Sequence, residues 1–545
     1  MSKRTGVLLI LLGILALGAF FRFYLITEIP LGLYPDEAMN GNNALEALAT
    51  GDFKTFYPEN NGREGLFINL QAIALGLFGN VPWALRIVSA FFGTLTILGI
   101  FLLTRELLRL KSNFNHERSE RSSTSIALLT SFFLAVSFWH INFSRIGFRA
   151  IMVPFFASFA LYFLLKGLRT GKLWSIIAAG IFTGLGFHTY IAFRFMPFVL
   201  AVPIIIYLIR WWKNKETNCI PCLVALFLLV NILVGLPLAL YFFENPQDFI
   251  GRAGEVSVFS AKNQALEFVK SNAKTLGMFF VPGGGDCNWR HNFDCQPFLP
   301  YGILATIGIL ALSRLAPGYQ GLTLIAWLFF MSLPATLTRE GLPHALRSIG
   351  MIPPIMILSG FGSWWIYHKV KDWLEKQKIK WPQYTGQLER IKKEVFILGM
   401  LTLLFIPLYT FQQYFVQWAY NPNSYFAFST DIWHLGQYLN GLPNDVKKYV
   451  VVNMLGVDIR GIPAPTQTVM FATNTFRKKE RMEKNITYIP YRDETSMVSA
   501  IEVLPQQKTV IAFLNGGDRK LIKNIQEKFE GLKIKVPGDF VILVN

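Results

Sequence analysis

Long apolar stretches separated by short polar connectors fill the first three quarters of the chain. Eleven of them reach the length of a bilayer crossing, at about residues 6–27, 81–104, 124–141, 150–168, 173–190, 193–211, 219–243, 298–314, 319–337, 347–367 and 394–412. A helix needs ~20 mostly apolar residues to cross the hydrocarbon layer, so each run predicts a transmembrane helix. The pattern changes in three places: the connector 28–80, the connector 244–297 and the tail 413–545. The opening run is too long for a signal peptide and no small-residue cleavage site follows it, so it predicts an uncleaved first helix.

Connector charge sets the orientation. The segments RELLRLKSNFNHERSERSS, KGLRTGK, RWWKNKET and HKVKDWLEKQKIKWPQYTGQLERIKKE fall on one side by alternation and are rich in Lys and Arg. Basic loops stay cytoplasmic. The connectors 28–80 and 244–297 and the tail are therefore expected outside. Composition agrees: 52% of the 545 residues are hydrophobic and only 16% are charged, against roughly a quarter in a soluble protein. The net charge of +18 is explained by these loops, so nucleic acid is not expected as a partner.

Outside the spans the periodicity is still informative. DEAMNGNNALEALATG has helical spacing with Gly51 as a stop, and EGLFINLQAIALGLFG is apolar but too short to span. Both predict helices lying in the membrane interface. In the tail, KKYVVVNM, QTVMFAT, NITYIP and TVIAFLN predict strands, and DRKLIKNIQEKFEG predicts a helix, together a small α/β domain. The NGGD segment at 515–518 reads as a tight turn before phosphate cradling. Cys219 and Cys222 form a lone C-x-x-C, a weak metal or redox signal that reads better as bland membrane cysteines, whereas Cys287 and Cys295 flank a polar outer loop where a disulfide is compatible with the compartment.

The candidate chemistry gathers on the outer side. Asp36 and Glu37 follow the first span in YPDEAMNGNNALEAL. One reading is structural, with Asp36 as a helix N-cap and Glu37 favouring the positive helix end. The other is catalytic, with one acid as base toward an acceptor hydroxyl. Adjacent residues point in different directions, so the two cannot act as a facing dyad. Arg63, Arg145, Arg149, Arg194, His344 and Arg347 fall at the same membrane level, against the usual bias, and guanidinium groups suit phosphate oxygens. The loop GGGDCNWRHNFDCQPFL adds Asp286, Asn288, Trp289, Arg290, His291 and Asn292, side chains suited to sugar faces and hydroxyls. Tyr34, Glu64, His188 and Tyr190, from the neighbouring motifs, complete the candidate substrate-binding set. No further cluster has metal-ligand spacing, so no metal site is assigned.

The segments YPDEA, GREGLFINLQAIALGLFG, WALRIVSAFFGTLTILGIFLLTREL, FSRIGFR, GLGFHTYIAFRFMP, GDCNWRHN and PHALRSIGMIPP together resemble the C-type polytopic glycosyltransferases. The likeness is to the branch with the protein O-mannosyltransferases and the lipid A aminoarabinose transferases, over roughly residues 1–410. It fits the α-helical polytopic membrane protein of about eleven transmembrane helices that the apolar runs predict, with a transferase domain at 1–412; the small extracytoplasmic α/β domain at 413–545 rests on its own periodicity, has no motif to carry over, and leaves the identity of the acceptor open. The resemblance implies transfer of a sugar, with inversion, from a polyprenyl-phosphate donor to a lipid, glycan or protein acceptor on the extracytoplasmic face. Asp36 maps to the family's catalytic acid, Glu37 to its second acid, and Arg63 to a basic residue near the donor phosphate, although NNGREG departs from the common form there. Some relatives use a divalent cation and others do not. The rival class is a transporter or lipid flippase, which would place ionisable groups at the midplane; here the spans are nearly free of charge. A non-catalytic scaffold would leave the one-sided set of acids and Arg unexplained.

Overall fold

The structure, a computed structural model, describes residues 3–109, 116–214, 218–250, 257–281, 299–315, 318–339, 341–491, 498–504, 506–529 and 531–545. Each of the eleven apolar runs carries a helix. Seven described helices are long and apolar enough to cross a membrane, or eight if a bent pair counts as one span. Leu173–Phe187 and Pro300–Ser313 are apolar but shorter. The protein is an integral membrane protein. Its chain divides into two compact units.

The first unit comprises Met1–Tyr24, Ser89–Arg145 and Arg149–Gln417. The run expected as one straight span at 124–141 is instead broken, with Glu120–Val136 and Phe138–Arg145 meeting at 54°. The break leaves helix-end carbonyls exposed, and side chains take them. Arg22 donates to the carbonyls of Leu134 and Ala135 at 3.2 and 3.1 Å, and Thr410 to that of Val136 at 3.0 Å. Arg145 does the same for the end of Lys3–Phe23, donating to the Phe21 and Arg22 carbonyls. Both arginines are fully buried. The negative end of a helix supplies part of the compensation that a buried guanidinium requires. Cys219 and Cys222, read from the sequence as bland membrane cysteines, form a disulfide. The first turn of Ile220–Glu244 brings their Cα atoms to 5.3 Å, inside the range a disulfide spans.

The second unit comprises Leu25–Val88, Ile146–Phe148 and Trp418–Asn545. In its contacts the connector 28–80 therefore keeps company with the tail. The tail holds a five-stranded sheet of β1 (Lys447–Val452), β2 (Ile486–Pro490), β3 (Thr509–Phe513), β4 (Lys533–Lys535) and β5 (Ile542–Val544), in the order β2-β1-β3-β5-β4. The β1 strand pairs in parallel with β2 and β3, and β5 runs antiparallel to both β3 and β4. Both faces of β1 and β3 are covered, which is why these strands read as continuous apolar runs. On one face Leu521, Ile522 and Ile525 of the Arg519–Lys528 helix join the core. On the other lie Ile432, Leu435, Val469 and Met470.

QTVMFAT is not a strand. Gln467–Thr473 is a short helix, buried at six of its seven positions. Its β-branched and aromatic residues suit a strand, but tertiary packing overrides that preference. It lies against the Pro35–Thr50 helix: Asn42 donates to the Gln467 carbonyl and side-chain oxygens at 3.1 and 2.9 Å. Gly41 lets them approach, because a Cβ there would meet the Phe471 ring at 2.4 Å. NGGD is a turn, with Asn515 accepting from the Gly517 N–H and Asp518 capping the next helix.

Candidate functional site

The Pro35–Thr50 helix starts one step earlier than its acids. Tyr34 is the N-cap, with extended ψ of 144°, and Pro35 takes the first helical position, where its missing N–H costs nothing. Asp36 and Glu37 are thus the second and third helical residues, and Asp36 is not the N-cap that its sequence position suggested. Gly51 ends the helix in the left-handed region at φ 77°, as expected.

Their environments differ sharply. Glu37 is fully buried and every direction around its carboxylate is used. Arg86 donates through Nε to Oε1 at 3.0 Å and through Nη2 to Oε2 at 3.3 Å. The Gly147 N–H donates to Oε1 at 2.7 Å. The Tyr34 N–H reaches Oε2 at a longer 3.4 Å, half of a capping box. Arg86, itself buried, also donates to the carbonyls of Pro30 and Gly32. Glu37 therefore ties the helix start to the chain before it, to the Pro82–Leu107 helix and to the 146–148 segment.

Asp36 is half-buried, and its hydrogen-bond partner among the described residues is Asn60, whose Nδ2 donates to Oδ1 at 2.8 Å. Asn60 sits in the turn between the paired strands Phe56–Tyr57 and Arg63–Glu64. Asn60, Asn61 and Gly62 all have positive φ, at 54°, 63° and 82°. Asn tolerates the left-handed region better than most side chains, and a Cβ at position 62 would meet the Phe56 ring at 2.5 Å. The turn chemistry of NNG thus delivers an amide donor to one carboxylate oxygen, leaving the other to accept a proton.

The helix face continues the polar run. Asn40 and Asn43 lie four and seven residues beyond Asp36, on its side of the helix. Arg63 is buried and donates to the side-chain oxygens of both. Asn40 in turn donates to the Gly147 carbonyl at 3.0 Å. Glu64 is buried where the hairpin leads into the Gly65–Phe78 helix. Farther along, Arg460 holds Glu46 through both Nη atoms at 2.8 Å and Glu59 at 2.7 Å. Burial is the largest influence on the Glu59 carboxyl and pushes its pKa upward. The Arg460 hydrogen bond, its own backbone and the charges of Arg460 and Arg63 together outweigh this and hold it below the usual value.

The other expected residues lie in the first unit. Arg149 stacks over the Tyr190 ring at 5.3 Å, so these two are brought together. Arg194 stands over Phe249 at 4.3 Å and donates to its carbonyl. Arg347 donates to Thr338 at 2.7 Å, and its N–H faces His344 Nδ1 at 3.4 Å. His188 Nε2 is 3.1 Å from the Val234 carbonyl. Arg145 stacks on Phe415 at 4.9 Å while it caps the first helix. Asp286, Asn288, Trp289, Arg290, His291, Asn292, Cys287 and Cys295 lie outside the described residues. Among the described residues no three His, Cys, Asp or Glu side chains converge to hold a metal ion.

Sequence reasoning did not single out Arg86, Asn60, Asn40 or Asn43. Arg86 carried a signal: it is a charge inside an otherwise apolar run, where an ionisable group needs a partner. The Asn40 and Asn43 spacing from Asp36 was a second.

Residues 66–237 match the family model of the dolichyl-phosphate-mannose-protein mannosyltransferases. No curated protein matches the chain. In fold the chain is similar to ArnT from Cupriavidus metallidurans bound to undecaprenyl phosphate, with a TM-score of 0.59, 13% identity, and 100% of this chain and 98% of that chain covered. It is similar to the apo state of the same protein with a TM-score of 0.54, 15% identity and the same coverage. At these identities the likeness to ArnT is one of fold. The likeness in sequence therefore spans residues 66–237, and the likeness in fold spans the whole chain.

Proposed function

We propose that this protein is a membrane glycosyltransferase that moves a sugar from a polyprenyl-phosphate donor to an acceptor hydroxyl on the extracytoplasmic face, with Asp36 as the base. The observation that carries this reading is the contrast within the acid pair. Glu37 is consumed by Arg86, Gly147 and Tyr34, whereas Asp36 keeps one carboxylate oxygen uncommitted. The family match, and a fold shared with a protein solved with undecaprenyl phosphate, support the donor class. Connector charge supports the face.

The reaction is a single displacement. Asp36 takes the proton of the acceptor hydroxyl as its oxygen bonds to the anomeric carbon. The bond from that carbon to the phosphate oxygen breaks, and polyprenyl phosphate leaves with the electron pair. Attack from the face opposite the leaving group inverts the anomeric centre. Asn60 fixes the direction of the carboxylate. Arg149, Arg194, His344 and Arg347 are assigned to the donor phosphate on the sequence argument, while Arg63, bonded to Asn40 and Asn43, braces the helix that carries the base.

The test is transfer of radiolabelled sugar from a polyprenyl-phosphate donor by purified Asp36→Asn protein. A positioned base contributes ~10²–10⁴ in rate, so activity should fall by about that factor with the melting temperature unchanged. Wild-type activity in Asp36→Asn removes the assignment.

A further inference from the structure

Glu59 immediately precedes Asn60, the residue that orients the proposed base, and its charged partner Arg460 comes from the tail. Arg460 lies at the tip of a hairpin between the two-residue strands Asp458–Ile459 and Ile462–Pro463. Arg460 and Gly461 both have positive φ, at 55° and 85°. A two-residue turn of that kind favours Asn, Asp or Gly at its first position, and the left-handed region disfavours a long side chain. Asp458 fixes the turn by accepting from the Gly461 N–H at 2.7 Å. The turn would form more readily without Arg, so the reason for Arg lies in what its side chain reaches.

The guanidinium reaches two elements at once. It donates to both Glu46 oxygens at 2.8 Å, and to Glu59 Oε1 from Nη2 at 2.7 Å and from Nε at 3.2 Å. It also stands over the Phe476 ring, 4.5 Å from its centre. Glu46 belongs to the helix that carries Asp36, and Glu59 to the turn that carries Asn60. One planar group thus sets the spacing between that helix and that turn. The side chains of Arg460, Glu46 and Glu59 are 37%, 22% and 17% exposed. A lone ion pair at such exposure adds little stability, whereas a bidentate, shared network restrains geometry.

The turn needs that restraint. Its flanking strands have two residues each, and Asn60, Asn61 and Gly62 all have positive φ. A two-stranded hairpin is marginal by itself. Arg63 ties the returning strand to Asn40 and Asn43. The tail supplies a second tie, at the residue next to Asn60. A carboxylate oriented by one hydrogen bond follows its donor, so a shift of Glu59 is passed on to Asp36. We propose that Arg460 is a positioning residue for the Asp36 base: through Glu46 and Glu59 it fixes the place from which Asn60 holds the carboxylate, which gives the tail a part in turnover. The base itself rests on the transferase reading above; the tie between Arg460 and the turn does not.

Two measurements on the full-length protein in detergent test this. Hydrogen exchange read by mass spectrometry needs no ligand. In Arg460→Met the amides of residues 58–64 should exchange about tenfold faster or more, as expected on losing hydrogen bonds to charged groups. Those of β1 should keep the wild-type rate and show that the fold is intact. If Arg460→Met misfolds, Glu59→Gln, which leaves Arg460 on Glu46, takes its place with the same expectations. The second measurement is sugar transfer from radiolabelled undecaprenyl-phosphate mannose to octyl mannoside. In Arg460→Met kcat should fall by about tenfold or more, toward the ~10²-fold loss that a misplacement of ~1 Å brings, with KM for the donor unchanged. Asn60→Gly keeps the turn and removes the amide donor, and should lower kcat similarly. The Arg460→Met/Asn60→Gly protein should fall no further than Asn60→Gly alone, because both changes reach Asp36 by one route. An Arg460 with a merely structural role would give independent losses that multiply. Unchanged exchange at 58–64, unchanged kcat, or multiplying losses overturns the proposal. With no transfer by the wild-type protein the transferase reading falls, and exchange alone decides whether Arg460 holds the turn.

Discussion

Two adjacent carboxylates with opposite surroundings make distinct predictions for substitution. Glu37 and Arg86 form a buried pair with side chains 0% and 2% exposed. Removing one partner of such a pair leaves an uncompensated charge and costs ~3–5 kcal/mol. Glu37→Ala should therefore lower the unfolding midpoint markedly, and the Glu37→Gln/Arg86→Met double variant should recover much of the loss, as thermal unfolding in detergent will show. Full stability in Glu37→Ala would mean that the pair does not hold the helix start. Asp36→Asn should leave stability untouched and lower turnover by ~10²–10⁴. The same scale gives a pH dependence. Glu59 has its carboxyl held below the usual value of 4.5 by Arg460 against an upward push from burial. A lowered carboxyl pKa contributes stability that is present above the unfolded value and lost as pH falls through the folded one. The second unit should hence weaken below about pH 4.5, and Arg460→Met should flatten that part of the profile of unfolding temperature against pH.

At the scale of elements, local chemistry and tertiary packing divide the explanation. The Pro35–Thr50 helix was legible because its stop is Gly51 and its apolar positions recur at helical spacing. Its start was misplaced because Tyr is not a usual cap residue, whereas Asp36 looks like one. The strands 447–452, 486–490 and 509–513 were legible because β-branched runs bounded by turn residues report buried strands directly. Gln467–Thr473 was not, because a seven-residue helix buried on nearly all sides shows no amphipathic period. Arg86 and the partners of Arg63 escaped for a related reason: Arg86 bonds Glu37 49 residues away, and Arg63 bonds Asn40 and Asn43 23 and 20 residues away, and spacing along one element cannot reveal such pairs. The break at Val136 belongs here too, since three consecutive carbonyls there accept from the distant side chains Arg22 and Thr410. Acids and bases are visible in a sequence; the donors that decide which acid stays reactive are not.

At the scale of the molecule, the sidedness of the proposed chemistry rests on charge. Four basic connectors lie on one side by alternation, and a bilayer disfavours carrying such loops across it. The helices Ile352–Lys380 and Thr385–Phe411 extend that side into a charged hairpin, in which Lys378 bonds Glu375 and Glu389, and Lys392 bonds Glu375. One apolar run separates the last basic connector from the tail, so on this reading the tail is expected on the opposite side. Leu455, three residues beyond β1, is fully exposed, and a cysteine placed there has room to react. In right-side-out vesicles, a membrane-impermeant maleimide should label Leu455→Cys and spare Arg390→Cys, at an exposed position of the hairpin. Detergent should open both to the reagent. The reverse labelling would put the tail in the cytoplasm and Asp36 with it. A donor sugar attached to a lipid phosphate would then no longer be needed to carry the sugar across the membrane, and the transferase reading would lose the reason for its donor class.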